Sequence, residues 1–384
     1  MKQINGKIIN TNRTWPLLGK FCTHNNLFTR NKILFCDKRP LLEIGIVAYI
    51  VPEGKTFKTK KPILEVEKSV LSFSPGDVVS ITEQGTASIL WEVDTQHPAL
   101  YVTDLCNSKC IMCPQNEGLS EHYDECLKLL DLIDLPKGHT IGITGGEPTL
   151  NMDRLVEILK KIAKKTPNTS VHILTNGRLF ANPENVKKIA SVEKIDVSFG
   201  VPLYSSIAEE HDYIVGVKGA FSETIDGIYN LGKYNQKIEI RVVVMRQNYK
   251  QLKLLANYIY RNLPFVVHVA LMGMEYHGNA ETNYDLVSID AFDYKNNLFD
   301  AVREFVRYDM VVDVYNIPLC LVDSRIKNFC RDSISTWKKS YLPKCEDCKL
   351  KSECCGVFAT SFTQSPHITP VLSTESGDAD LQKG

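Results

Sequence analysis

From Ala99 onward short β-branched runs alternate with stretches of helical spacing, and that alternation leaves few folds open to the chain. Residues 100–105, 140–144, 170–174, 195–199, 238–245 and 265–272 read as six strands, each a short apolar run bounded by turn residues. Helical spacing over 120–133, 153–165, 184–191, 222–234 and 250–261 supplies connections between them; a longer loop containing His211 follows the fourth strand. Strands in series joined by crossover helices predict an α/β fold, a parallel sheet covered on its outer face and curved into a partial (β/α)6 TIM-like barrel. Ligands then belong at the carboxyl ends of the strands. A helix over 290–308 and one more strand over 311–315 follow.

Four regions are expected. Residues 1–98 form a β-rich N-terminal domain, with β-branched runs at 44–51 and 78–82 separated by turns such as Pro52-Glu53-Gly54 and Pro75-Gly76-Asp77. Residues 99–309 form the partial barrel, 310–362 a cysteine-rich C-terminal segment, and 363–384 a disordered tail, rich in Ser, Thr, Asp and Gly. Cys22, His24 and Cys36 fit no metal template, and no role is assigned to them.

The first strand runs into Cys106-x3-Cys110-x2-Cys113. Three thiolates on one short loop can hold three irons of a [4Fe-4S] cluster and leave the fourth open to a small ligand. A zinc site completed from elsewhere, or plain buried thiols, would use the same residues. The second strand ends in Gly145-Gly146-Glu147-Pro148. Two glycines there let the backbone approach a ligand closely, and the adjacent carboxylate suits the amino group of a bound amino acid; an ordinary β-turn is the plain alternative.

A second group, Cys345-x2-Cys348-x5-Cys354 with Cys320 upstream, offers four thiolates that can close either a second [4Fe-4S] cluster or a zinc site. Cys355, beside Cys354, competes as a ligand, while Cys126 and Cys330 look like bystanders. With 12 cysteines in a chain of 384 residues, this clustering points to metal rather than to a disulfide scaffold. Composition narrows the partners. The 45 basic and 45 acidic residues balance, so no global field attracts nucleic acid or an anionic membrane. No apolar run reaches the roughly 20 residues of a membrane span, and no secretory signal opens the chain, so a cytoplasmic location is expected.

The cysteine triad followed by the Gly-Gly-Glu-Pro turn resembles the radical S-adenosylmethionine (SAM) superfamily. More finely, the chain resembles the radical SAM maturases of the His-Xaa-Ser system, the HxsC type. That resemblance rests on Cys106 to Gln115, Gly145 to Leu150, Leu174 to Phe180, His211 with Gly219-Ala220-Phe221, the Ser333 to Lys338 stretch and the last cysteines. It implies a cluster on Cys106, Cys110 and Cys113 whose open iron takes the amino and carboxylate groups of SAM. Reduction by an external electron donor would then yield a 5′-deoxyadenosyl radical that modifies a peptide or protein. It further implies that Gly145, Gly146 and Glu147 hold the methionine amine, with Ser198 on the ribose or carboxylate side. Met272 lies on the adenine side, and Met112 stands where an aromatic often packs over the adenine. Cys320, Cys345, Cys348 and Cys354 would hold an auxiliary [4Fe-4S] cluster, and a second radical SAM maturase is an expected partner. A small-molecule substrate in cofactor biosynthesis, or a non-catalytic zinc-binding module, are the rival readings. His211 is either a substrate-side proton carrier or a structural loop histidine, and His268 a core side chain.

Overall fold

The computed structural model describes residues 3–10, 15–67, 72–95, 98–115, 118–135 and 138–372. They form two compact units, one of residues 1–98, 123–139 and 164–166, the other of 99–122, 140–163 and 167–384.

The first unit is an eight-stranded mixed sheet of β1 (Gln3–Asn5), β2 (Lys7–Ile9), β3 (Leu17–Cys22), β4 (Lys32–Phe35), β5 (Ile46–Pro52), β6 (Ile63–Val66), β7 (Val78–Ile81) and β8 (Thr86–Trp91). Its order is β1-β8-β7-β3-β4-β5-β6-β2, so the two edge strands are consecutive in the chain and only Gly6 separates them. One short segment of chain thus pairs with β8 at one end of the sheet and with β6 at the other. Phe21, Ile33, Ala48, Ile50 and Val79 fill one face and are wholly buried. Cys22 and Cys36 pack beside a second apolar group around Leu34 and Tyr49, as structural thiols.

The helices are α1 (Tyr123–Leu132), α2 (Met152–Lys165), α3 (Pro183–Ala190), α4 (Ala208–Val215), α5 (Ala220–Lys233), α6 (Leu252–Asn262), α7 (Asn279–Thr282), α8 (Tyr284–Val287) and α9 (Ala291–Arg307). Most of the helix expected over 120–133 as the barrel's first crossover, helix α1, belongs instead to the first unit, where Ser80 Oγ donates to Glu125 at 3.0 Å.

The second unit carries the parallel sheet: β9 (Ala99–Tyr101), β10 (Ile141–Thr144), β11 (Thr169–Leu174), β12 (Ile195–Pro202), β13 (Lys237–Val243), β14 (His268–Met272), β15 (Val312–Tyr315) and β16 (Cys330–Arg331). They lie side by side in chain order and every neighbouring pair is parallel. Alternation sets the two faces. Val171, Ile173, Phe199, Val201, Ile238, Ile240 and Val269 are wholly buried, while the residues between them, His172, Ser198, Glu239, Arg241 and His268, are half-buried and polar.

Two expectations change. The loop expected around His211 is helix α4. The tail expected to be disordered from 363 packs through residue 368: Ser365 Oγ donates to Asp290 at 3.0 Å, His367 stacks on Phe292 with ring centroids 4.4 Å apart, and Ile368 is buried. Residues 373–384 lie outside the described residues.

Candidate active site

The Cys106–Cys113 loop leaves the sheet after β9, and its backbone is tied down from three sides. Lys109 N donates to Val215 O at 2.9 Å and Ile111 N to Ile214 O at 3.0 Å, against the end of α4. Asn279 takes the Cys113 carbonyl through its backbone N at 2.8 Å and the Cys110 carbonyl through Nδ2 at 3.1 Å. Asn283 Nδ2 takes the Ile111 carbonyl at 2.8 Å. From the turn after β11, Asn176 Nδ2 donates to Asn107 Oδ1 and Arg178 to Asn107 O, each at 2.6 Å. Arg178 is held in turn by Glu223 at 2.6 Å.

These bonds hold the loop's backbone, and its three thiols lie within electrostatic reach of one another. Burial and the neighbouring thiols push Cys110 up to about 12, Arg178 opposing only weakly. Cys106 is raised by burial first, with Glu147 and Cys113 adding to it. Three thiols that cannot comfortably ionise together fit a cationic iron-sulfur core, which would take them as thiolates and release their protons. Among the described residues no group of three or more Cys, His, Asp or Glu side chains is placed to hold a single metal ion.

The Gly-Gly-Glu-Pro turn does something other than expected. A Cβ on Gly145, where φ is +146°, would lie 2.4 Å from Thr103 O, and one on Gly146 would lie 2.2 Å from Leu105 O. Gly146 N donates to Thr103 O and Glu147 N to Leu105 O, each at 2.7 Å. The glycines are therefore required by backbone approaching backbone, where the turn after β10 grips the root of the cysteine loop. Glu147, expected to receive the methionine amine, is fully buried. Its Oε1 accepts from Thr149 N at 3.0 Å, Thr149 Oγ1 at 2.5 Å and Thr175 Oγ1 at 2.7 Å. Its Oε2 accepts from Asn176 N at 2.6 Å. The carboxylate is a clasp between two turns, and only the backbone of Gly145 and Gly146 is left for a ligand.

The remaining expected residues separate. Met272 ends β14, 9 % exposed, at the carboxyl edge of the sheet. Met112 is not presented to a ligand; it packs in the core with Tyr204, Ile214 and Met245. Ser198 lies mid-strand, with His172 Nδ1 2.9 Å from its hydroxyl, and opens a polar chain across the sheet. Glu239 approaches His172 at 3.5 Å, Arg241 at 2.6 Å and His268 at 2.7 Å. His268 in turn reaches Asp313 at 3.1 Å, and Asp313 reaches Arg331 at 2.9 Å. His268 is thus a member of a charged network and no mere core side chain. His211 is 1 % exposed, accepts from Tyr204 N at 3.3 Å, and is pushed down to about 4 by burial. It is a neutral structural histidine.

The second cysteine group shows a different dressing. Cys354 Sγ accepts from Leu319 N at 3.5 Å and Gly356 N at 3.4 Å, and Cys348 Sγ from Val371 N at 3.4 Å. A backbone N–H of Thr369 reaches Cys320, which lies in electrostatic reach of Cys354 and Cys345. Hydrogen bonds from the adjacent Cys355 thiol and from these N–H groups lower Cys354 to about 6. Cys355 is buried and donates to Gly356 O at 3.4 Å. Backbone N–H groups aimed at sulfur are what a thiolate ligand needs.

Sequence reasoning missed Arg178, Asn176, Asn279 and Asn283. The Thr175-Asn176-Gly177-Arg178 run at a strand's carboxyl end was the available signal for the first two. The asparagines of α7 and its following turn gave none, since their partners lie 169 and 172 residues away.

Residues 100–259 match the family model of the radical SAM superfamily. The chain is 29% identical over 169 residues to a GTP 3′,8-cyclase of Limosilactobacillus fermentum, covering 41% of this chain and 48% of that protein. It is also 29% identical over 158 residues to the mycofactocin maturase MftC of Mycolicibacterium smegmatis, covering 39% and 38%. The chain thus spans about half or less of the length of these curated relatives. The solved structure of Streptococcus suis SuiB superposes with a TM-score of 0.45 at 17% identity, covering 57% of this chain and 49% of that one. Among the described residues no helix is long and apolar enough to cross a membrane.

Proposed function

We propose that this chain is a radical SAM enzyme that cleaves SAM reductively and uses the resulting radical to modify a peptide or protein, as a maturase of the His-Xaa-Ser kind. The observation that carries the reading is the placement of Cys106, Cys110 and Cys113. Their loop is braced at every turn by α4, α7 and the Thr175–Arg178 turn, and its thiols are left for a cluster at the carboxyl end of a parallel sheet. The bound cluster and SAM supply the electron transfer and the bond cleavage. The chain's own residues fix the loop, hold a cation beside the thiols through Arg178, and offer the Gly145–Gly146 backbone and Met272 to the cofactor.

Cys320, Cys345, Cys348 and Cys354 would hold the auxiliary cluster, supported by the N–H groups directed at the sulfurs of Cys320, Cys348 and Cys354. An external electron donor and a second maturase are the expected partners, with neither nucleic acid nor membrane involved, and the cytoplasm is the expected location. A small-molecule substrate is the second reading, favoured by the similarity to a protein named for its action on GTP. The two are separated by supplying the reconstituted protein, SAM and reductant with either a synthetic peptide of His-Xaa-Ser repeats or GTP. A mass change in the peptide supports the first reading; conversion of GTP alone replaces it with the second.

A further inference from the structure

A cavity of about 340 Å³ opens beyond the carboxyl ends of β13, β14 and β15. Its lining is mixed: Val244, Met274, Ile317, Leu321, Val357 and Ile368 form an apolar wall, and tyrosines and polar side chains, Tyr276, Tyr284, Asn316 and Gln364 among them, complete it. Met274 also packs against the apolar cluster that contains Met112 of the cysteine loop, and Cys110 and Ile111 pack against the same cluster. The C-terminal stretch from Val357 to Ile368 covers it and is pinned in place. Thr360 Oγ1 donates to Glu275 at 2.6 Å beside Lys338 at 2.9 Å, and Tyr276 N donates to Ser361 Oγ at 2.9 Å.

Three charged side chains line the same cavity: Arg246, Asp293 and Asp290, the last already accepting from Phe292 N and Ser365 Oγ. Arg246 donates through Nε to Ser288 O at 2.9 Å, and its terminal nitrogens have no hydrogen-bond partner among the described residues. Asp293, in the first turn of α9, has a carboxylate that is likewise without one. A fixed donor and a free acceptor beside an apolar wall match one residue of a peptide: a carbonyl to receive from Arg246, an N–H to give to Asp293, and a side chain to lie against Val244, Met274 and Ile317. A nucleoside triphosphate fits poorly. Arg246 is the only cation among the lining residues, and a polyphosphate needs several.

Resting on the peptide reading above, we infer that this cavity is the substrate subsite and takes one large apolar or aromatic side chain of a peptide, placing that residue next to the cysteine loop. The test is binding by saturation-transfer NMR to the full chain, without SAM or reductant. Its probes are N-acetyl-tyrosinamide, N-acetyl-leucinamide, N-acetyl-glycinamide and GTP. The first two bind and the glycine compound does not. Ile317→Trp, which fills the chamber, abolishes binding, and Arg246→Leu, at an exposed position that leaves folding intact, weakens it by about tenfold, as the loss of one charge-assisted hydrogen bond does. No binding of either bulky probe, binding that Arg246→Leu leaves unchanged, or GTP competing for the site would each overturn the inference. Because no SAM chemistry is involved, a protein that binds the capped residues yet fails to cleave SAM refutes the radical reading alone.

Discussion

Glu147 Oε2 accepts the backbone N–H of Asn176 at 2.6 Å, fastening the turn that follows β10 to the turn that follows β11. Asn176 and Arg178 then reach the cysteine loop through Asn107 and Ser108. A buried carboxylate is therefore the keystone of a contact it never makes itself. Glu147→Gln replaces one acceptor oxygen by an NH2 group facing the donors on Thr149, Thr175 and Asn176. A loss of about 2–3 kcal/mol in unfolding free energy is expected, the cost of leaving a buried donor unmatched. Denaturant unfolding reads it, and an unchanged midpoint would contradict the role.

Gly146→Ala places a Cβ against Leu105 O and Asp104 O, both backbone atoms that cannot swing aside. The turn must shift, at about 1–3 kcal/mol for overpacking, and the root of the cysteine loop shifts with it. Iron retained after anaerobic reconstitution and desalting should fall well below the native level, while the far-ultraviolet circular dichroism stays the same.

The polar chain across the sheet predicts a pH profile. Burial opposes charge on His268, but its hydrogen bonds to Glu239 and Asp313 outweigh that and raise its pKa above the ordinary 6.5. A raised histidine stabilises fully below its unfolded value and loses that contribution as pH rises through the folded one. Glu239 pays for burial too, yet His172, His268 and Arg241 hold it below the usual carboxylate range. Its contribution is present above the unfolded value and lost as pH falls. Tm should therefore peak between the two unfolded values, about 4.3 and about 6.5, and decline on the alkaline side. Glu239→Gln should lower Tm and flatten that alkaline decline; the native slope persisting in the variant would refute the pairing.

Much of this architecture was legible. The buried β-branched runs at 141–144, 169–174 and 195–202 carry a period of two that only a strand satisfies, and Asp290 announces α9 as its cap, accepting from Phe292 N at 2.9 Å. What escaped depends on partners distant in the chain. Glu147 looks like a ligand group until its donors, 28 and 29 residues away, are in view. Helix α4 hides because Ile207, at its cap, gives no side-chain hydrogen bond, and its run of acids, Glu209, Glu210 and Asp212, reads as loop. The polar tail escaped because a few contacts, Ser365 with Asp290 and His367 with Phe292, order it without an apolar run.

The second cysteine group separates Cys354 from Cys355. Cys354 lies in electrostatic reach of Cys320 and receives two backbone N–H groups, whereas Cys355 is buried with its thiol against Cys354 and Gly356 O and receives none among the described residues. If two [4Fe-4S] clusters form, the native chain and Cys355→Ser should each hold about eight irons, and Cys354→Ser about four. Equal losses in the two serine variants would contradict the assignment.

The most direct measurement is the release of 5′-deoxyadenosine from SAM by the anaerobically reconstituted, reduced protein, beside a variant in which Cys106, Cys110 and Cys113 are all alanine. The account predicts release by the native chain and none by the variant, with the variant's Tm close to native because the loop is held by its backbone. Intact SAM in the reduced native protein, or release that survives removal of the three thiols, would contradict it.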